Sequence, residues 1–100
     1  MPVAAISVVP VGTGSTSLSA YVAEMQKILA ETEGIKYQLT PMATIVEGEL
    51  EDILRVAQKL HELPFTQGVM RVVTDIRIDD RRDQKLTMEG KVRSVQEKLK

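Results

Sequence analysis

The sequence predicts an α+β fold, a ferredoxin-like βαββαβ sandwich with an extra C-terminal helix, occupying residues 1–100 as one domain. Three observations predict it. Apolar residues recur with strand and helix periods in the order strand, helix, strand, strand, helix, strand. The length of 100 residues suits one hydrophobic core and is too short for two. A further apolar series, Met88, Val92, Val95 and Leu99, follows the sixth element at four-three-four spacing, the narrow seam of one more helix.

Val3 to Val11 reads as a strand with two apolar faces, Ala4, Ile6 and Val8 on one and Val3, Ala5 and Val9 on the other, the pattern of a strand covered on both sides. The run Gly12-Thr13-Gly14-Ser15-Thr16-Ser17 reads as a turn whose hydroxyls suit a helix N-cap. Leu18, Tyr21, Val22, Met25, Ile28 and Leu29 form one amphipathic stripe, and Gly34 suits its stop because glycine enters the left-handed region freely. Ile35 to Leu39 and Met42 to Glu47 read as short strands around Thr40-Pro41. After Gly48, the residues Leu50, Ile53, Leu54, Ala57 and Leu60 mark a second helix that ends at or near Pro64. Val69 to Asp79 alternates strictly: Met70, Val72, Thr74, Ile76 and Ile78 face one way, Arg71, Val73, Asp75, Arg77 and Asp79 the other. A strand of that length is expected to project beyond its own sheet. The polar run Asp80 to Lys85 leads to the last helix.

Two helices on one face of a four-stranded sheet leave the other face bare. Here that face would show Val3, Ala5, Val9 and Val73 inside a charged rim, and the extra helix has no place in a two-helix core. Monomers seldom leave such a patch wet, so self-association is expected.

Composition removes several function classes. A net charge of −1, from 13 basic and 14 acidic residues, offers no electrostatic footprint for nucleic acid. The absence of cysteine excludes disulfides, thiolate metal sites and cysteine nucleophiles, and the single histidine, His61, leaves histidine-rich metal sites and Ser-His-Asp triads one candidate at most. No metal, cofactor or catalytic residue is assigned. Met1 to Val11 lacks a basic leader region and is too short to span a membrane, so a cytoplasmic, membrane-free protein is expected.

Several strings carry more than fold. They are Pro10-Val11-Gly12-Thr13 with Ser17-Leu18-Ser19-Ala20-Tyr21-Val22, then Tyr37-Gln38-Leu39-Thr40-Pro41-Met42-Ala43-Thr44-Ile45-Val46-Glu47-Gly48-Glu49, then His61-Glu62. Arg71 to Asp83 and Lys91-Val92-Arg93-Ser94-Val95 complete the series. In this order, along essentially the whole chain, the sequence resembles the small thiamine-binding, YkoF-like family. The Thr-x-x-Glu-Gly-Glu string after Tyr-x-Leu-x-Pro-Met is the most specific part. The resemblance implies a subunit assembled through its sheets into dimers and then a dimer of dimers, binding thiamine or its hydroxymethylpyrimidine portion with no catalytic step. It also implies Thr44 and Glu47 as groups that read the pyrimidine. Ala43 departs from the family pattern, where Gly is more usual, and its methyl narrows any pocket there.

Each candidate has an ordinary structural alternative. Glu47 also suits a helix N-terminus, and Thr44 a plain strand position. Thr13, Ser17 and Ser19 surround the start of the first helix, where hydroxyls bind a ligand or cap the helix. Gly12-Thr13-Gly14 lacks the lysine and third glycine of a phosphate loop. Tyr37 either stacks on a heteroaromatic ring or enters the core with its hydroxyl at the edge. His61, at the border of the second helix's stripe, reads as structural before functional. Arg71, with Asp75, Arg77 and Asp79, suits ion pairs between subunits, or alone contacts an anionic ligand. The leading reading is a non-enzymatic carrier, buffer or sensor. A structural or regulatory oligomer with another small ligand, and a small enzyme using His61 or Glu47, are the alternatives.

Overall fold

In a computed structural model, residues 1–14 and 18–100 are described. Seven elements follow one another: β1 (Val3–Val11), α1 (Ser19–Ala30), β2 (Lys36–Leu39), β3 (Thr44–Glu47), α2 (Leu50–Thr66), β4 (Arg71–Asp79) and α3 (Met88–Lys98). The strands form one antiparallel sheet in the order β2-β3-β1-β4, the ferredoxin-like arrangement. Ala4, Ile6 and Val8 of β1 and Val46 of β3 pack beneath Met25 and Leu29 of α1 and Ile53, Val56, Ala57 and Leu60 of α2. The alternation of Val3–Val11 thus puts the expected residues under the helices.

Local chemistry trims the expected strands. Thr40 closes a tight turn on Ala43: its backbone N–H and its Oγ1 both donate to the Ala43 carbonyl, at 3.0 and 2.6 Å, and the Ala43 N–H donates back to Oγ1 at 3.2 Å. β3 therefore starts at Thr44 rather than Met42. The Val69 N–H donates to the Pro64 carbonyl at 3.1 Å, tying it to the end of α2, so β4 starts at Arg71. Nor does β4 project alone. It pairs with β1 along its full length, Val3 opposite Asp79 through Val11 opposite Arg71, whereas β3 pairs β1 only from Val3 to Ile6. A two-stranded arm of β1 and β4 extends past the rest of the sheet.

Gly34 adopts φ 81° at the stop after α1, as its position predicts. Gly48 serves a close approach instead. A Cβ there would lie 2.8 Å from both the Gly34 carbonyl oxygen and Ile35 Cδ1, so the loops at the two strand ends meet at this point.

The extra helix does find a place. Leu86 and Met88 are buried with Val3, with Ile45 packed beside them, so the start of α3 covers one corner of the sheet face opposite α1 and α2. Lys36 pairs with Glu89 and Lys91 with Asp79 across the same junction. Beyond that corner the apolar residues stay uncovered: Val92, Val95 and Leu99 on α3, Val9, Val11 and Val73 on the sheet. The radius of gyration, 14.8 Å, exceeds the roughly 13 Å of a compact chain this long, consistent with the extended arm and α3.

Candidate functional site

Thr44 and Glu47 begin and end the same four-residue strand, and strand geometry separates them. Successive side chains alternate, so residues three apart face opposite ways. Thr44 pairs with Ile6 and Leu39 on the helix-covered face, while Glu47 pairs with Val3 and Lys36 on the other. The two do not meet around one ring.

Glu47 is buried, 5% exposed, and its Oε1 accepts the Met88 N–H at 2.8 Å. Met88 is the first residue of α3, so the carboxylate satisfies an amide that the helix itself leaves unpaired and sits at the positive end of its dipole. Thr87 completes this start by accepting the Gly90 N–H on Oγ1 at 2.9 Å. The sequence suggested a helix N-terminus for Glu47, with α2 the next helix in the chain; the structure supplies α3, 41 residues away. The first turn of α2 carries its own acids, Glu51 and Asp52. At the junction with β2, the hydrogen bond and charge of Glu89 hold Lys36 above its ordinary pKa, and Lys36 holds the Glu89 carboxyl below its own.

Thr44 is 7% exposed and stands in a cleft of about 280 Å³ at the end of the core. Val22 and Met25 of α1, with Leu18 at its N-cap, form one wall, and Leu39 with the Thr40–Ala43 turn forms the other. The floor is Ile6 to Val9 of β1; β3 stops pairing after Ile6, so among the described residues Ser7 to Val9 have no neighbouring strand on that side. Three properties therefore coincide: apolar walls, hydroxyls from Thr40 and Thr44, and, among the described residues, an unpaired strand edge offering backbone N–H and C=O groups. That combination is suited to a small flat ring with donors and acceptors on its rim. Met42, 86% exposed, stands at the mouth. A larger hollow of about 600 Å³ lies between α1 and α2, but it is open to solvent and lined by charges of both signs, Glu31, Arg55, Lys59 and Glu62.

The other described sequence candidates do not line this cleft. Tyr37 lies on the helix-side face of the edge strand β2, opposite Val46, and is 37% exposed, in neither the core nor the cleft wall. Arg71 is exposed on the other face at the tip of the β1–β4 arm, opposite Val11. Thr13 lies between Gly12 and Gly14, and Ser19 is the first residue of α1, whose N-cap position is Leu18 without a side-chain cap; Ser17 falls outside the described residues. His61 is held within the subunit: its Nδ1 and Thr74 Oγ1 share a 2.7 Å hydrogen bond, and its ring rests 5.5 Å from that of Phe65. The Asp80 to Asp83 turn neutralises itself through Arg81–Asp83 and Arg82–Asp80 pairs, and Arg81 lowers the Asp83 carboxyl to about 2.

Sequence reading missed Gln26, whose Nε2 donates to Thr44 Oγ1 at 3.1 Å. The available signal was its place one turn after Val22 on α1, a polar residue continuing the row that walls the cleft. Among the described residues, no cluster of three or more His, Asp or Glu is placed to hold a metal ion, and no helix is long and apolar enough to cross a membrane.

Comparison with known proteins agrees with this fold. YqgV of Bacillus subtilis is 55% identical over 99% of this chain and 98% of its own length. A Methanothermobacter thermautotrophicus relative is 39% identical over 99% of this chain and all of its own. The crystal structure of MJ1052 from Methanocaldococcus jannaschii superposes with a TM-score of 0.87 at 32% identity, covering 96% of each chain. A Thermotoga maritima protein given a provisional role in thiamine biosynthesis or salvage superposes at 0.74, with 28% identity over 94% of this chain and 97% of that one. The family model described as "Thiamine-binding protein" matches residues 4–96, and the chain belongs to that family.

Proposed function

We propose that this chain is a non-enzymatic binding protein for thiamine or its hydroxymethylpyrimidine moiety, a carrier, buffer or sensor working as a homo-oligomer, a dimer of dimers. The observation that carries the reading is the cleft at Thr44. Its volume is slightly below the roughly 300–1,000 Å³ of sites for drug-sized ligands, which suits one substituted ring rather than two. The pyrimidine enters, reads the β1 edge and the hydroxyls, and leaves a thiazolium outside near Met42, a polarizable side chain suited to an aromatic cation. The lining offers hydroxyls where general acid–base work needs an ionisable group in reach, which favours binding over turnover. Membership of a family described as thiamine-binding, and a similar fold in a protein provisionally placed in thiamine biosynthesis or salvage, support the ligand class.

Assembly rests on uncovered surface. β4 is a nine-residue edge strand with Val73, Ile76 and Ile78 exposed, and long apolar edges are ordinarily paired or covered. Among the described residues, Arg71, Asp75 and Arg77 on its open face make no ion pair within the subunit, which leaves them for a second copy. Calorimetric titration with hydroxymethylpyrimidine, beside light scattering for mass, tests both parts. Saturable binding by a particle of four chains is expected. A tetramer that takes up neither hydroxymethylpyrimidine nor thiamine would favour the scaffold reading, and binding by a monomer would remove the assembly.

A further inference from the structure

Gln26 and Thr44 together define the polarity of the cleft, and this inference rests on that cleft being the pyrimidine site. A threonine hydroxyl has one proton to donate and two lone pairs to accept with. The Gln26 amide, on the wall helix α1, takes one lone pair by donating to Thr44 Oγ1 at 3.1 Å. Among the described residues no acceptor meets the hydroxyl proton, and Thr44 is 7% exposed, so the cleft it lines is where that proton has room to donate. A buried hydroxyl whose proton has no acceptor is costly, and a ligand that supplies one removes that cost.

We propose that Gln26 is a positioning residue that fixes the Thr44 hydroxyl as a hydrogen-bond donor into the cleft, so that the site selects aromatic rings presenting a bare nitrogen lone pair at that point. A ring carrying N–H there would face donor with donor. The choice between the two polarities is thus made one layer behind the ligand, by an amide that does not itself line the cleft.

Gln26→Glu tests this with almost no change in shape. A carboxylate is acceptor-only, so the Thr44 proton turns back toward Glu and the cleft is left facing lone pairs. Titration with hydroxymethylpyrimidine is expected to show binding about tenfold weaker in Gln26→Glu and in Thr44→Val, the size of one lost hydrogen bond. Thr44→Ser, which keeps the hydroxyl, is expected to recover most of the affinity lost in Thr44→Val. Gln26→Leu, which leaves the hydroxyl free to rotate, is expected to lose less than Gln26→Glu. The decisive arm is Thr44→Val/Gln26→Glu, expected to bind no more weakly than Thr44→Val alone, because Gln26 acts only through the hydroxyl. Unchanged binding in Gln26→Glu, or losses that multiply in the double variant as general damage to the wall would, overturns the donor assignment while leaving the site. Failure of the parent protein to bind the pyrimidine overturns the site itself.

Discussion

Val22→Phe is expected to abolish pyrimidine uptake while leaving the fold intact. Val22 stands on the α1 wall of a cleft of only about 280 Å³, facing the unpaired stretch of β1. A phenyl ring there occupies the space of the ligand ring, and the cleft has no slack volume to yield. A loss of roughly 100-fold or more is expected, about 2.8 kcal/mol of binding free energy. The side chain is half-buried rather than enclosed, so the added ring meets open cleft instead of packed core and the overpacking cost of a filled interior does not arise. Titration beside thermal unfolding checks this: lost binding with an unchanged midpoint is the expected pair, and retained affinity would move the ligand to another surface.

The second large effect concerns stability. Glu47→Ala removes a buried carboxylate that accepts the first amide of α3 and leaves a void beside Val3, Leu86 and Met88. A hydrogen bond to a charged group at a helix start contributes about 1.5–3 kcal/mol, and the void adds to that, so a loss of about 2–3 kcal/mol is expected. The loss is local. Amides at the start of α3 should exchange faster in hydrogen-exchange measurements, while pyrimidine binding on the opposite face of the sheet persists. Glu47→Gln, which retains an acceptor oxygen, is expected to cost less. Abolished binding in Glu47→Ala with α3 still protected would show instead that the carboxylate serves the ligand.

The contrast between Thr44 and Glu47 shows how far the sequence could be read. Strand alternation placed Ala4, Ile6 and Val8 in the core, and the order of periods predicted the sheet topology, because both are local patterns with global consequences. The same alternation puts residues 44 and 47 on opposite faces, a point readable from spacing alone but overridden by treating a family string as one site. The partner of Glu47 was not readable, since Met88 lies 41 residues away and the contact depends on where α3 docks. The cleft was equally hidden. It exists because β3 ends its pairing at Ile6 while β4 continues to Val11, a difference in ladder length that no window of β1 encodes. Leu18, Val22 and Met25 read as core, and their stripe does reach the core at Met25; only the early end of β3 turns the rest of it into a wall.

The methionines are placed to decide between a pyrimidine at Thr44 and one at Glu47. Met25 lines the cleft, Met42 stands at its mouth, and Met88 is hydrogen-bonded through its backbone to Glu47 on the other face. Methyl NMR of methionine-labelled protein, titrated with hydroxymethylpyrimidine, reads all three positions at once. Saturable shifts at Met25 and Met42 with Met88 unmoved are the expected result. Shifts at Met88 alone would place the ligand against Glu47 and overturn the site at Thr44.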